Sequence, residues 1–258
     1  SGATFRGCTN LRSIDLPDSL TSIGGSAFSQ CCSLTSIDLP DSVTDIGDSA
    51  FYGCTSLKSI DLPDSVPSIG RLAFGYCSSL ESINLPDGLA SIGDSAFIDC
   101  SSLTSIKLPS GLTFIDQALF TNCSSLTSID LPAGITAISE RAFFGCSSVM
   151  NITFAGDAPR IGYEAFYNVT ADVYYPASND TWTHAAKQNY GGNLTWIAAC
   201  PEHQYADPAY IWSDDFVSCT ATRSCINPQC EEVKREKVAK ETGTAAASKS
   251  EVKKAPVR

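Results

Sequence analysis

Apolar and polar residues alternate along the chain in a pattern that returns every 23 residues. In one unit Leu34, Ile37 and Leu39 are separated by Ser, Thr and Asp, and the Ile37 to Leu39 stretch has the period-two pattern of a half-buried strand. Pro40 ends this strand because it has no backbone N–H to donate. A second short extended piece is predicted around Val43 to Ile46.

Three residue types keep the same phase through the chain. The repeated positions are Cys8, Cys31, Cys54, Cys77, Cys100, Cys123 and Cys146; Phe28, Phe51, Phe74, Phe97, Phe120, Phe143 and Phe166; and Ile23, Ile46, Ile69, Ile92, Ile115, Ile138 and Ile161. A fixed period of about 20 to 50 residues predicts a solenoid. Because one unit cannot bury its Leu, Ile and Phe alone, the units must stack and share one core.

The rest of each unit predicts how the coil closes. Gly47 has counterparts in other units and indicates a bend of the backbone. The Ala50-Phe51 pair then turns inward, and we expect a short helical or 3₁₀ turn there. Cys54 closes the coil.

These residues resemble the BspA-like leucine-rich repeat, whose units read Leu-x-x-Ile-x-Leu-Pro, then Ile-Gly, then Ala-Phe-x-x-Cys. The resemblance covers about Phe5 to Asn168 and departs little from the pattern, with Leu119 in place of an Ala and Lys107 in an otherwise acidic column. It implies a right-handed leucine-rich-repeat solenoid, β-rich with short helical or 3₁₀ turns. It also implies a bacterial or protist surface protein that acts in adhesion and in contact with a host or partner.

Four regions are predicted. Residues 1–168 form the leucine-rich repeat array of about seven repeats, 169–199 its C-terminal cap, 200–230 a small Cys/His-containing module, and 231–258 a disordered polar tail. The cap region is similar to the closing segment of such arrays. Its aromatic residues either cover the last coil, which we favour because large apolar side chains are usually buried, or form a sugar-binding platform; they are Tyr174, Trp182, Tyr190 and Trp196.

Charge and hydropathy exclude some functions. The formal net charge is −11, and the basic tail leaves residues 1–230 still more acidic. An acidic body is a poor nucleic-acid ligand, because affinity for phosphates rests on Lys and Arg. No run approaches the roughly 18 apolar residues of a membrane span. The chain opens inside a repeat, without a visible signal peptide, so we expect a piece of a longer protein.

The repeated cysteines have three interpretations. Free Cys is among the most buried residue types, so we favour a column of buried thiols. The alternatives are disulfides between adjacent coils or metal ligands, but one Cys per unit lacks the close spacing of a zinc site.

Polar residues on the predicted main strands should stack into outward-facing columns. The candidate binding residues are Ser36, Asp38, Ser59, Asp61, Ser82, Asn84, Ser105, Lys107, Ser128 and Asp130. One interpretation is a solvated polar face in which like charges repel at strand spacing. The other is a binding surface for basic or hydroxyl-rich partners, because the exposed faces of solenoids often bind.

A Cys/His cluster follows the cap. Cys200 and His203, then Cys225 and Cys230, offer two pairs of ligands as a structural zinc site needs. Cys219 makes two disulfides an equal alternative. In both cases the linkage would be structural, because so short a segment builds little core. No cofactor is expected for the repeat array.

No catalytic arrangement is visible. The chain has two His residues and no Gly-x-Ser-x-Gly or phosphate-binding glycine loop. We therefore expect a non-catalytic, monomeric, extracellular or surface module that binds a protein or glycan on a host or neighbouring cell. The alternatives are a passive spacer, or an accessory binding region of a larger surface enzyme.

Overall fold

The computed structural model describes residues 2–199 and three further strands, Ala209–Trp212, Ser218–Ser224 and Val233–Ala239. The chain divides into two units. The first comprises Ser1–Tyr175 with Asn179–Ile197, and the second comprises Pro176–Ser178 with Ala198–Arg258. All the repeats lie in the first unit.

The main strands of the repeats carry the repeated Ile between two polar residues. They are Ser59–Asp61, Ser82–Asn84, Ser128–Leu131 and Asn151–Phe154. Two further strands without the repeated Ile follow along the chain, Thr170–Pro176 and Asn193–Ala199. The strands of the repeats pair in parallel and without a shift in register, so that Ile60 faces Ile83 and Asp61 faces Asn84. Each residue therefore lies beside its own counterpart in the next coil.

A second set of parallel strands forms where each coil bends. Its members are Ser22–Ile23, Asp45–Ile46, Ser68–Ile69 and Ser91–Ile92 in one section, and Phe114–Ile115, Ala137–Ile138 and Arg160–Ile161 in the other. Again Ile pairs with Ile, as in Ile23 with Ile46. The structure is thus the parallel β-solenoid of 23-residue repeats that the sequence predicts.

Phenylalanine fills the centre of every coil. Successive rings from Phe5 to Phe166 stack with centroids 5.2 to 5.7 Å apart. Phe97, in the middle of this ladder, is 0% exposed. Offset stacking at this distance is favourable for aromatic pairs, and the ladder ties each coil to both neighbours.

The Ala-Phe segment is a series of tight turns rather than a helix. Alternate N–H groups bond within the turn, as Ala50 to Gly47 (3.2 Å), and across to the next coil, as Phe51 to the carbonyl of Ala73 (2.8 Å). Ser49 and Gly53 have positive φ, and their counterparts do so in the other coils. A 3₁₀ helix would use every N–H internally, and the alternation leaves half of them to join neighbouring coils.

The repeated Gly allows adjacent coils to approach closely. An added Cβ on Gly70 would lie 2.5 Å from the backbone N of Asp48, and one on Gly47 would lie 2.6 Å from the N of Gly25. The sequence predicts a bend at this glycine, and the structure shows that the lack of a side chain is what matters, because Gly47 and Gly70 do not have positive φ.

The repeated thiols are buried, which is the interpretation that the sequence favoured. Six of them are 0% exposed and free, from Cys31 to Cys146, whereas Cys8 at the first coil is exposed. Each buried thiol donates to a carbonyl of the preceding coil, as Cys100 Sγ to Phe74 O at 3.1 Å. The Cys column therefore adds a hydrogen bond between coils as well as apolar contact.

Aromatic side chains pack at the C-terminal end of the first unit. Trp182 is buried, donates from Nε1 to the carbonyl of Gly156 (3.0 Å) and meets Phe154 edge-on at 4.7 Å. Tyr175 and Trp196 pack beside it. The 3₁₀ helix His184–Ala186 follows Trp182. Trp182 belongs to the core and is not available as a surface platform for sugars.

The described part of the second unit contains an antiparallel sheet. Its strands are Ala209–Trp212, Ser218–Ser224 and Val233–Ala239, with the middle strand pairing both others.

Candidate functional site

The ten predicted binding residues form one continuous polar surface, here called the strand face. All ten are exposed. Parallel pairing fixes the columns, because Ser59 faces Ser82 and Asn151 faces Ser128. The buried Ile between each pair of polar residues holds them outward, since neighbouring residues of a strand point to opposite faces.

Lys107 interrupts the acidic column of the strand face. Its Nζ lies 3.5 Å from Asp87 Oδ1, and both side chains are highly exposed. Residues 104–109 are not in a strand, and a depression of about 520 Å³ lies there, lined among others by Ser105, Lys107, Ser128 and Asp130. The volume is within the 300–1,000 Å³ range typical of ligand pockets.

The first two coils carry a second, smaller depression. It measures about 200 Å³ and is lined by Asp15, Asp18 and Asp38 with the leucines beside them. The first coils, which meet the strand face at Asp38, are therefore acidic, whereas the strand face is mixed in charge at Lys107.

A second surface, which the sequence analysis missed, lies on the turn segments, and it is here called the turn face. Tyr52 and Tyr76 approach at 5.2 Å, and Phe144 stacks on Tyr167 at 4.7 Å. Tyr163 is 69% exposed, the highest value among the large apolar and aromatic side chains that the structure describes. For Tyr52, Phe144 and Tyr167 the signal was the position after the repeated Phe, which changes from coil to coil while the Phe does not.

Charged side chains order one end of the turn face. Arg141 Nε lies 2.9 Å from Glu164 Oε2, and the Arg141 guanidinium lies 5.8 Å from the centre of the Phe144 ring. Hydrogen bonds from Tyr163 and Arg141 lower the pKa of Glu164, and the same contact raises the pKa of Tyr163. The carboxylate is therefore kept ionised with a fixed orientation.

The predicted metal ligands Cys200, His203, Cys225 and Cys230 lie outside the described residues, so zinc and disulfides remain open alternatives. Within the described part of the chain no group of three or more His, Cys, Asp or Glu side chains is placed to hold a metal ion. No helix in that part is long and apolar enough to cross a bilayer.

The fold and the two exposed faces define a class: a β-solenoid repeat protein whose constant residues are buried and whose polar columns face solvent. The family model described as BspA type leucine-rich repeat region matches residues 1–78 and 44–172, in six copies. The chain therefore belongs to the BspA-type leucine-rich repeat family, whose repeats serve as protein-binding modules.

The chain is also similar to several solved structures. A leucine-rich repeat protein from Bacteroides ovatus is 27% identical, with a TM-score of 0.57, over 76% of this chain and 63% of that one. A leucine rich cell surface protein from Faecalibacterium prausnitzii is 26% identical over 76% of this chain and 62% of that one (TM-score 0.36). The T. pallidum leucine-rich repeat protein is 27% identical over 64% of this chain and 87% of that one (TM-score 0.45).

The match spans less than two thirds of the Bacteroides and Faecalibacterium chains. No curated protein matches the chain.

Proposed function

We propose that this protein is a non-catalytic adhesion module of a cell surface or secreted protein, and that it binds a partner protein or glycan through the strand face. The single observation that carries the proposal is the strand face itself. All ten polar side chains are exposed, and the six that lie in paired strands stand in register with their counterparts, namely Ser59, Asp61, Ser82, Asn84, Ser128 and Asp130.

Rigidity favours binding at such a surface. The backbone ladders and the Phe stack fix the strand face before any partner arrives, so little conformational entropy is lost on association. The Asp residues of the first coils favour a partner with a basic surface, because complementary charge speeds encounter and selects against acidic partners. Membership of the BspA-type leucine-rich repeat family supports placement outside the cell.

A binding screen with the full chain tests the proposal. The purified protein is screened at physiological salt against host matrix proteins and a glycan panel, together with the triple variant Asp38→Ser, Asp61→Ser, Asp130→Ser. We expect saturable binding by the native chain and at least tenfold weaker binding by the variant.

The matched control makes the same change of net charge away from the strand face, with Asp45→Ser, Asp94→Ser and Asp180→Ser. It should bind as the native chain does. A well-folded native chain that binds nothing would support the passive spacer instead, and equal loss in both triple variants would show that only total charge matters.

A further inference from the structure

The end of the turn face contains a pocket that the strand-face proposal does not use. It has a volume of about 410 Å³ and is lined by Tyr163, Glu164, Tyr167 and Tyr190, with Ile161 and the two glycines Gly162 and Gly191. We propose that this pocket binds an uncharged pyranose residue of a glycan. The proposal does not depend on the strand face.

Three tyrosines give the pocket its apolar surface. Tyr163 is 69% and Tyr167 is 45% exposed, which is unusual for rings of this size in a fold that buries its repeated Phe completely. The ring faces carry partial negative charge and attract the weakly positive C–H groups on one side of a pyranose. Pockets for small ligands are usually lined by aromatic and apolar side chains with a small number of polar groups among them.

The walls of the pocket are held in place before a ligand arrives. Tyr167 stacks on Phe144, and the Tyr190 hydroxyl donates to the carbonyl of Ala186 at 2.8 Å. The backbone adds further support, because Phe166 N donates to the carbonyl of Tyr190. Gly191 has a φ of +90°, a conformation that other residues rarely adopt, and it brings this segment close to Tyr167.

The charges at the pocket favour a neutral ligand. Glu164 is ionised and accepts from Arg141 Nε at 2.9 Å, so its charge is balanced by the guanidinium. A ligand ammonium would compete with Arg141, and a ligand carboxylate would face Glu164, with Glu140 a further carboxylate beside Arg141. Sugar hydroxyls can donate to the remaining carboxylate lone pairs without breaking the ion pair, because a carboxylate accepts at about four positions.

A glycan panel tests the proposal with the full chain. The probes are immobilised neutral oligosaccharides that end in galactose, glucose, mannose or N-acetylglucosamine, together with sialylated and sulfated counterparts. We expect binding to at least one neutral terminus and none to its acidic counterparts. Tyr163→Ala should weaken that binding at least tenfold, and Glu164→Gln should also weaken it.

Two controls keep the result specific. Tyr76→Ala removes an exposed tyrosine elsewhere on the turn face and should leave binding unchanged, as should the strand-face triple variant. Thermal unfolding of each variant checks that it is folded. Three results would overturn the proposal: no neutral glycan bound by the native chain, undiminished binding by a folded Tyr163→Ala variant, or binding of acidic glycans only. A native chain that binds a neutral glycan through the pocket, but binds no protein or glycan whose affinity the strand-face triple variant lowers, would overturn only the proposed function.

Discussion

The strand face and the turn face are built from the same 23-residue unit but use it differently. On the strand face Ser recurs in each coil and Asp in three of the five, at Asp38, Asp61 and Asp130. On the turn face the buried Ala, Phe and Cys repeat, while the residue after the Phe changes, from the half-buried Tyr52 and Phe144 to the exposed Tyr167. Constant buried residues hold the coils together, and the exposed positions are free to serve binding.

The largest effect on stability is expected from removal of a buried aromatic ring, compared with removal of an exposed one. Phe97→Ala should lower the free energy of unfolding by about 3–5 kcal/mol, because it leaves a cavity between Phe74 and Phe120. The matched control is Phe114→Ala, at a residue that is 54% exposed, which should cost much less. Urea unfolding measures both. Equal costs would contradict the assignment of Phe97 to the core ladder.

A smaller loss of stability is expected where the backbones of two adjacent coils are in close contact. Gly70→Ala should destabilise the protein by about 1–3 kcal/mol, because the new methyl group meets the backbone of Gly47 and Asp48 and the coils must move apart. Gly88→Ala is the control, since its added Cβ has no neighbour closer than 3.9 Å. Unchanged stability in Gly70→Ala would mean that the close approach of the coils is not needed.

The buried thiols should make stability fall in alkaline solution. Burial raises the pKa of Cys54, Cys100 and Cys146 to about 12. Unfolded thiols ionise near pH 8.5, so the folded chain holds more protons above that pH. The contribution of the buried, protonated thiols to the free energy of unfolding is therefore complete below about pH 8.5, and it is lost as the pH rises towards 12.

Unfolding in urea at pH 7.5 and pH 10.5 measures this loss. Cys100→Ala removes one such thiol, so the difference in stability between the two pH values should shrink. An unchanged difference would show that Cys100 does not contribute. Alkylation offers an independent check, because the exposed Cys8 should react in the folded protein while Cys100 should react only after unfolding.

The smallest effect on stability is expected on the strand face. The triple variant Asp38→Ser, Asp61→Ser, Asp130→Ser should change the free energy of unfolding by no more than about 0.5 kcal/mol for each substitution, because these side chains are exposed. Removal of the repulsion between Asp38 and Asp61 should favour the folded state slightly at low salt. A large destabilisation would mean that the columns serve folding rather than binding.

The repeat period made most of the solenoid predictable. A position that recurs every 23 residues must lie beside its own counterpart, so the register, the buried Phe ladder and the outward Ser and Asp columns followed from spacing alone. The role of Gly70 and the bonding of the turns could not be predicted, because they depend on the distance between two coils. That distance is not a property of any one unit.

The aromatic pocket could not be predicted from the sequence for a related reason. Tyr163 and Tyr167 belong to the last repeat and Tyr190 to the cap, and only the way the chain closes the solenoid brings them together. Sequence reasoning grouped Tyr190 with Trp182 as one possible sugar platform. The structure separates them, with Trp182 in the core and Tyr190 at the pocket.

The central claim is that the strand face binds and does not stabilise the fold. Its most direct test is the affinity of the partner found in the screen, measured for the native chain and the Asp triple variant at low and physiological salt. We predict that the native affinity falls as salt rises, and that the variant binds more weakly with less dependence on salt. The same affinity and the same salt dependence in both proteins would contradict the claim.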